Sequence, residues 1–132
     1  MANKLQIVQF DVEENYHTVV DLILFMMGID IVERASSINS AKKVFEKIEA
    51  GKIKPNVAIV SAFLQKDHKD GEQVAKKLRE LIPDIKIIAY TVLDDVEWGD
   101  YLAIKTTQDQ EKGLIKILEE ISGKEYRFDN SK

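Results

Sequence analysis

Short runs of apolar, β-favouring residues alternate along the chain with longer stretches whose apolar positions recur every three or four residues. Residues 5–10 (LQIVQF) read as a strand. Residues 13–27 read as a helix, because Tyr16, Val19, Val20, Ile23, Leu24 and Met27 fall at helical spacing and Gly28 supplies a stop. Residues 29–35 give a second strand. Asn39 or Ser40 can cap a helix whose inner face is Ala41, Val44, Phe45 and Ile48, ended by Gly51. Pro55 leads into a third strand at 57–60, a continuous apolar run that needs a core. A polar loop follows, and then Val74, Ala75, Leu78, Leu81 and Ile82 mark a helix that stops ahead of Pro83, since a residue before proline disfavours the helical conformation. Residues 86–91 and 101–105 are the fourth and fifth strands. A last helix starts near Thr107, buries Leu114, Ile117, Leu118 and Ile121, and has Gly123 beyond its end.

Strict alternation of β and α elements predicts an α/β fold, a parallel sheet with helices on both faces. Right-handed crossovers leave few topologies. The expected one is a single-domain, doubly wound, five-stranded sheet of order 2-1-3-4-5, flavodoxin-like, over residues 1–123, with 124–132 as a flexible tail. Its crevice opens where strands one and three diverge at their carboxyl ends, so Asp11 and Ser61 should flank it.

Composition narrows the function classes. The 132 residues suit one domain, with 45% hydrophobic and 32% charged residues, the mix of a globular protein. The absence of cysteine removes disulfides, thiolate catalysis and cysteine-bound zinc. A net charge of −4, with lysines interleaved among glutamates, argues against a nucleic-acid partner. The apolar run at 22–27 is far too short to span a bilayer, and polar residues interrupt the apolar part of the N-terminal stretch, which lacks signal-peptide form. The expected location is the cytoplasm, with no membrane partner.

The chain resembles the receiver domain of two-component response regulators, a CheY-like fold. The landmarks occur in order: Asp11 after strand one, Gly28 after helix one, Ala35 and Ala41 around strand two, SAFLQ (61–65) after strand three, the Asp70–Gly71 pair, IPDIKIIAYT (82–91), and Lys105 after strand five. In that family an aspartate ending strand three accepts a phosphoryl group, an acidic pair after strand one holds Mg²⁺, and a hydroxyl residue and a lysine contact the phosphate. By the resemblance, Thr91 is the hydroxyl residue and Lys105 the lysine, while the phosphoacceptor position is Ser61. Counted back from Gly28, Asp11 is the first acid and Val12 the second; counted from Lys4, the pair falls on Gln9 and Phe10. Either register loses a metal ligand. The stretch 92–100 leaves room for about one helical turn where receivers carry a full helix, so that helix is expected shortened or replaced by loop. Thr106 and Gln65 stand where prolines are usual, and Tyr101 lies near the family's aromatic switch position.

The substitutions carry a chemical consequence. Acyl-phosphate formation needs an ionised carboxylate nucleophile, and a serine hydroxyl needs an adjacent base instead. Mg²⁺ wants hard oxygen ligands in octahedral array. The resemblance therefore implies a pseudo-receiver with no cofactor, in which Mg²⁺ binding is weak or absent and Asp11, Thr91 and Lys105 form a polar network. A direct Asp11–Lys105 pair would imitate the phosphorylated geometry.

Each remaining feature has an ordinary and a sharper reading. Ser61 is either a strand-end residue bonding nearby backbone or a nucleophile with His68 and Asp11, although it lacks the glycine-flanked elbow of such serines and only His17 and His68 could act as base. Asp67, His68 and Asp70 are either a solvated loop with Asp70 capping the next helix or a transition-metal site. Asp94, Asp95 and Glu97 beside Trp98 are either a solvated turn or, with Tyr101, a recognition surface anchored by the indole. Leu22, Phe25 and Met26 widen the apolar arc of helix one, by core burial or as an interaction surface.

The expected function is that of a stand-alone receiver-like signalling module. It is not an enzyme and works by contact with a signalling protein: a kinase, a regulator or a second copy of itself in a homodimer. A phosphorylation-competent receiver with a non-standard acceptor, in a phosphorelay, is the alternative. A small hydrolase or ligand-binding flavodoxin-like domain is a third class.

Overall fold

The computed structural model describes residues 4–64, 69–93, 95–105 and 110–123. Five strands, β1 (Ile7–Phe10), β2 (Ile31–Ala35), β3 (Val57–Val60), β4 (Lys86–Thr91) and β5 (Tyr101–Ile104), form one sheet of order β2-β1-β3-β4-β5. All pairings are parallel. The helices are α1 (Glu14–Met27), α2 (Ile38–Glu49), α3 (Asp70–Leu81) and α4 (Gln110–Ser122).

Side-chain alternation along the strands sends residues to two cores. Ile7, Val57, Ile59, Ile88 and Tyr90 meet Val20, Ile23 and Leu24 of α1 and Leu114 and Leu118 of α4. Val8, Phe10, Ala58, Val60 and Ile87 meet Ala41 and Val44 of α2 and Val74, Ala75 and Leu78 of α3. Because every residue of β1 and β3 is buried, the carboxyl ends of those strands are rigidly placed, and the residues that follow them inherit that position.

Local chemistry sets the helix ends. Gly28 takes φ +71° and donates its N–H to the Leu24 and Phe25 carbonyls, closing α1 in the left-handed conformation that glycine tolerates best. The cap of α2 is Ser37, not Asn39 or Ser40: Ser37 Oγ accepts from Ser40 N–H while the Ser40 hydroxyl accepts from Ser37 N–H. That reciprocal pair satisfies two orphan donors at once, which no single cap among the neighbouring polar residues does. Asp70 likewise is not a cap. It is the first helical residue of α3, behind Lys69, and its Oδ2 accepts from Leu64 N–H at 3.2 Å, tying the end of the loop after β3 to the helix.

Strand ends are shorter than the apolar runs, with pairing confined to 7–10, 31–35 and 101–104. Among the described residues between β4 and β5 there is no helical turn at all. Leu22, Phe25 and Met26 are exposed, Phe25 to 81%, so the packing of α1 against α4 does not absorb its extra apolar arc.

Candidate functional site

Asp11, Ser61 and Lys105 follow β1, β3 and β5 at one edge of the sheet. Backbone bonds continue each ladder by one step: Asp11 N–H to the Ala35 carbonyl (3.0 Å), Ser61 N–H to Phe10 (2.8 Å) and Lys105 N–H to Thr91 (2.8 Å). All three side chains are therefore delivered to the mouth of the crevice by strands that cannot shift without breaking the core.

The Lys105 side chain crosses that mouth. Its Nζ lies 2.6 Å from Asp11 Oδ2, and both side chains are only 1% exposed. The same ammonium donates to Ser61 Oγ at 3.4 Å, reaches to 3.7 Å from Glu13 Oε1, and sits 4.2 Å from the centre of the Tyr16 ring and 5.5 Å from that of Tyr90. The two rings meet edge to face, with centroids 5.6 Å apart. Lys105 is thus held by a buried carboxylate on one side and aromatic faces on the other, a desolvated setting in which a cation–π contact gains strength.

Asp11 is equally committed. Its Oδ1 accepts from Glu13 N–H at 2.9 Å, and Oδ2, which makes no hydrogen bond among the described residues, lies against the Lys105 ammonium as an ion pair. Its backbone carbonyl is 2.7 Å from His17 Nε2. Burial pushes the Asp11 carboxyl above its ordinary pKa, and the attraction of Lys105 opposes that rise without cancelling it. Burial, followed by the charges of Glu13 and Asp11, raises the Tyr16 hydroxyl as well.

Ser61 Oγ also accepts from Phe63 N–H at 3.3 Å, the local turn bond of a strand-end serine. Ser61 is 3% exposed, and among the described residues no imidazole reaches it; His17 bonds the Asp11 backbone instead. Thr91 is buried, but its Oγ accepts from Leu93 N–H at 3.4 Å and shows no bond to Lys105. The structure therefore brings together Asp11, Lys105 and Ser61, with Thr91 alongside through the Lys105–Thr91 backbone bond. Asp67, His68 and Asp94 lie outside the described residues.

Glycine 71 fixes the rear of the site. A Cβ there would stand 2.3 Å from the Ser61 carbonyl oxygen and 2.8 Å from Trp98 Cζ2, and Gly71 N–H donates to the Ala62 carbonyl at 2.9 Å. Only a residue without a side chain admits both neighbours. Trp98 is consequently half-buried against the α2/α3 core rather than freely exposed. Tyr101 is half-buried against the opposite core. Its hydroxyl is raised by burial first and by a hydrogen bond with Glu120 second. Asp95 is exposed.

Sequence reasoning did not single out Glu13, Tyr16, Gln9 or Gly71 for these roles. Gln9 is fully buried in β1; its Oε1 accepts from Arg34 Nε (2.8 Å) and its Nε2 donates to the Tyr16 carbonyl (3.3 Å), joining β2 to α1. A lone polar residue inside an apolar strand was the available signal.

The donors do not fit a tightly held Mg²⁺. Asp11 Oδ2 is occupied by an ammonium, Val12 supplies no side-chain oxygen, and Ser61 offers a neutral hydroxyl already bonded twice. Among the described residues no group of three acidic or imidazole side chains could hold a metal. A hard divalent cation at this point would have to displace Lys105.

No family model matches the sequence, and no curated protein matches it. Solved structures do. A CheY-like response-regulator receiver domain from Methanospirillum hungatei JF-1 is 21% identical with a TM-score of 0.70, covering 92% of this chain and 96% of its own. The response regulator TrrA from Thermotoga maritima, solved with Mg²⁺–BeF, is 20% identical with a TM-score of 0.69, covering 89% and 98%. The CheX–CheY–BeF₃–Mg²⁺ complex from Borrelia burgdorferi matches at 11% identity and a TM-score of 0.72, covering 89% and 88%. At these identities the likeness establishes the fold, which is the receiver fold of response regulators.

Proposed function

We propose that this receiver-fold chain is a signalling module of the response-regulator type that acts by docking to a protein partner, without phosphoryl transfer. The observation that carries this is the Lys105–Asp11 contact of 2.6 Å, sealed from solvent beside a serine at the phosphoacceptor position. In a phosphorylated receiver the conserved lysine is engaged by the phosphate; here a built-in carboxylate engages it. The crevice then has one arrangement, and signalling by occupancy or abundance of the chain replaces signalling by modification. The neighbour solved as a CheX–CheY complex shows that a receiver fold can serve as a protein-binding surface, which supports a partner of that class here. No described helix is long and apolar enough to cross a membrane.

The test is incubation with a small acyl-phosphate donor and Mg²⁺, followed by intact-mass measurement and peptide mapping. An unmodified mass is expected. A phosphoryl adduct on Ser61, Asp11 or the half-exposed Glu13, the carboxylate most open to solvent beside Lys105, would overturn the proposal.

A further inference from the structure

The connection between β4 and β5 makes a surface of its own. With no helix among its described residues, the segment folds onto α3. Arg79 Nη1 donates to the Trp98 carbonyl at 2.7 Å, and Arg79 Nη2 meets Asp100 Oδ2 at 3.3 Å. Asp100 is in turn anchored to β4, donating its N–H to the Ile87 carbonyl (2.8 Å) and accepting Ile87 N–H on Oδ2 (2.8 Å). The indole of Trp98 is thereby pinned across Gly71 and forms one wall of a groove of about 410 Å³, lined by Glu72, Leu93, Asp95, Val96, Glu97 and Trp98.

We infer that this groove receives a basic segment of the partner protein, with a lysine or arginine side chain laid against the Trp98 indole between Glu72, Asp95 and Glu97. The inference rests on the docking reading above and adds the partner's chemistry. The apolar lining of Leu93, Val96 and Trp98 suits the methylene stem of such a side chain, which packs on apolar surface while its charged head stays at the rim. An indole face attracts the cation itself. Among the described residues every charged residue lining the groove is negative and none of the three carboxylates is ion-paired, while the adjoining cavity that shares Glu72 and Trp98 carries Lys76 and Arg79. Arg79, which lines a neighbouring cavity of about 450 Å³ with Lys76, is engaged by Trp98 and Asp100. The sign of the rim disfavours phosphorylated ligands and anionic lipid.

Trp98 is the single tryptophan of the chain, so its fluorescence reads the groove directly. The probe is a short peptide of alternating arginine and alanine, with glutamate replacing arginine in the control. A saturable change in emission is expected with the arginine peptide alone. Glu72→Gln with Glu97→Gln should weaken it about tenfold, the scale of two partly desolvated charge contacts beside an aromatic face. Glu46→Gln with Glu49→Gln removes the same charge from exposed positions on α2 and should leave binding unchanged, which separates the groove from general attraction to a chain of net charge −4. No saturable change, or equal weakening by both pairs of substitutions, would overturn the inference. A phosphoryl adduct at the crevice would instead sink the docking reading while leaving this titration as it stands, so the two failures are distinguishable.

Discussion

Two ion pairs sit at opposite extremes of this molecule. Lys105 and Asp11 are 1% exposed each and meet at 2.6 Å behind the strand ends, whereas Arg79 and Asp100 are 38% and 37% exposed and meet at 3.3 Å on the surface of the β4–β5 connection. Both join elements distant in sequence. They differ in what water does. The exposed pair exchanges hydration for a screened contact and gains little, while the buried pair has given up hydration entirely and each member depends on the other. The first kind of pair staples a surface segment; the second decides which states of the crevice exist.

Breaking the buried pair from one side should have the largest effect. Lys105→Met leaves a carboxylate enclosed without a counter-charge, and a loss of about 3–5 kcal/mol in urea unfolding at neutral pH is expected. Adding Asp11→Leu to that variant should recover most of it, because a desolvated pair replaced by apolar residues is close to neutral. If the double variant is no more stable than the single one, the cost lies in packing rather than in the orphaned charge.

The pH dependence of Asp11 sharpens the same contrast. Its folded-state pKa is raised by burial, so between the unfolded and the folded value the folded chain holds a proton there that the unfolded chain releases, and above the folded value Asp11 is ionised against Lys105. Its contribution to stability is full below the ordinary carboxylate range and is lost as pH rises through the folded value. Relative to Asp11→Asn, the wild type should therefore lose stability as pH rises from about 4 toward neutrality. Glu33 behaves oppositely. Its hydrogen bond with Lys47 lowers the pKa, and the stability it contributes is lost on acidification through the folded value. Urea titrations across this range would separate the two. A wild-type curve that gains on Asp11→Asn with rising pH would contradict the assignment of burial as the dominant influence.

The smallest effect belongs to the exposed pair. Arg79→Gln should cost about 1 kcal/mol or less, reading mainly as a change in Trp98 emission as its carbonyl loses a donor. A cost comparable to that of Lys105→Met would mean the connection is as tightly determined as the crevice.

How far each region was legible in the sequence follows from the range of the forces that make it. Val57–Val60 and Lys86–Thr91 could be read directly, since continuous apolar runs have few places to go except the middle of a sheet. The convergence of Asp11, Ser61 and Lys105 followed from topology, because parallel strands deliver the residues after their carboxyl ends to one edge. The cap of α2 was obscured by a crowd of candidates in SSINS (36–40), which only the reciprocal Ser37–Ser40 bonds resolve. The seat of Trp98 was illegible. It depends on Gly71 lacking a side chain and on Arg79 reaching the Trp98 carbonyl, contacts between residues far apart in the chain that no local pattern encodes. Tyr16 counted only as a helical core position, and its role beneath the Lys105 ammonium emerges from the crossing of two elements.

The central claim is that the crevice is closed on itself by Lys105 and Asp11. Backbone amide NMR during titration with Mg²⁺ and beryllium fluoride, a mimic of the phosphoryl group, addresses it most directly. The account predicts that the Glu13, Ser61 and Phe63 amides stay where they are, because Lys105 already engages Asp11 and the phosphoacceptor position holds a serine instead of a carboxylate. Saturable shifts of those amides, requiring both additives together, would contradict it.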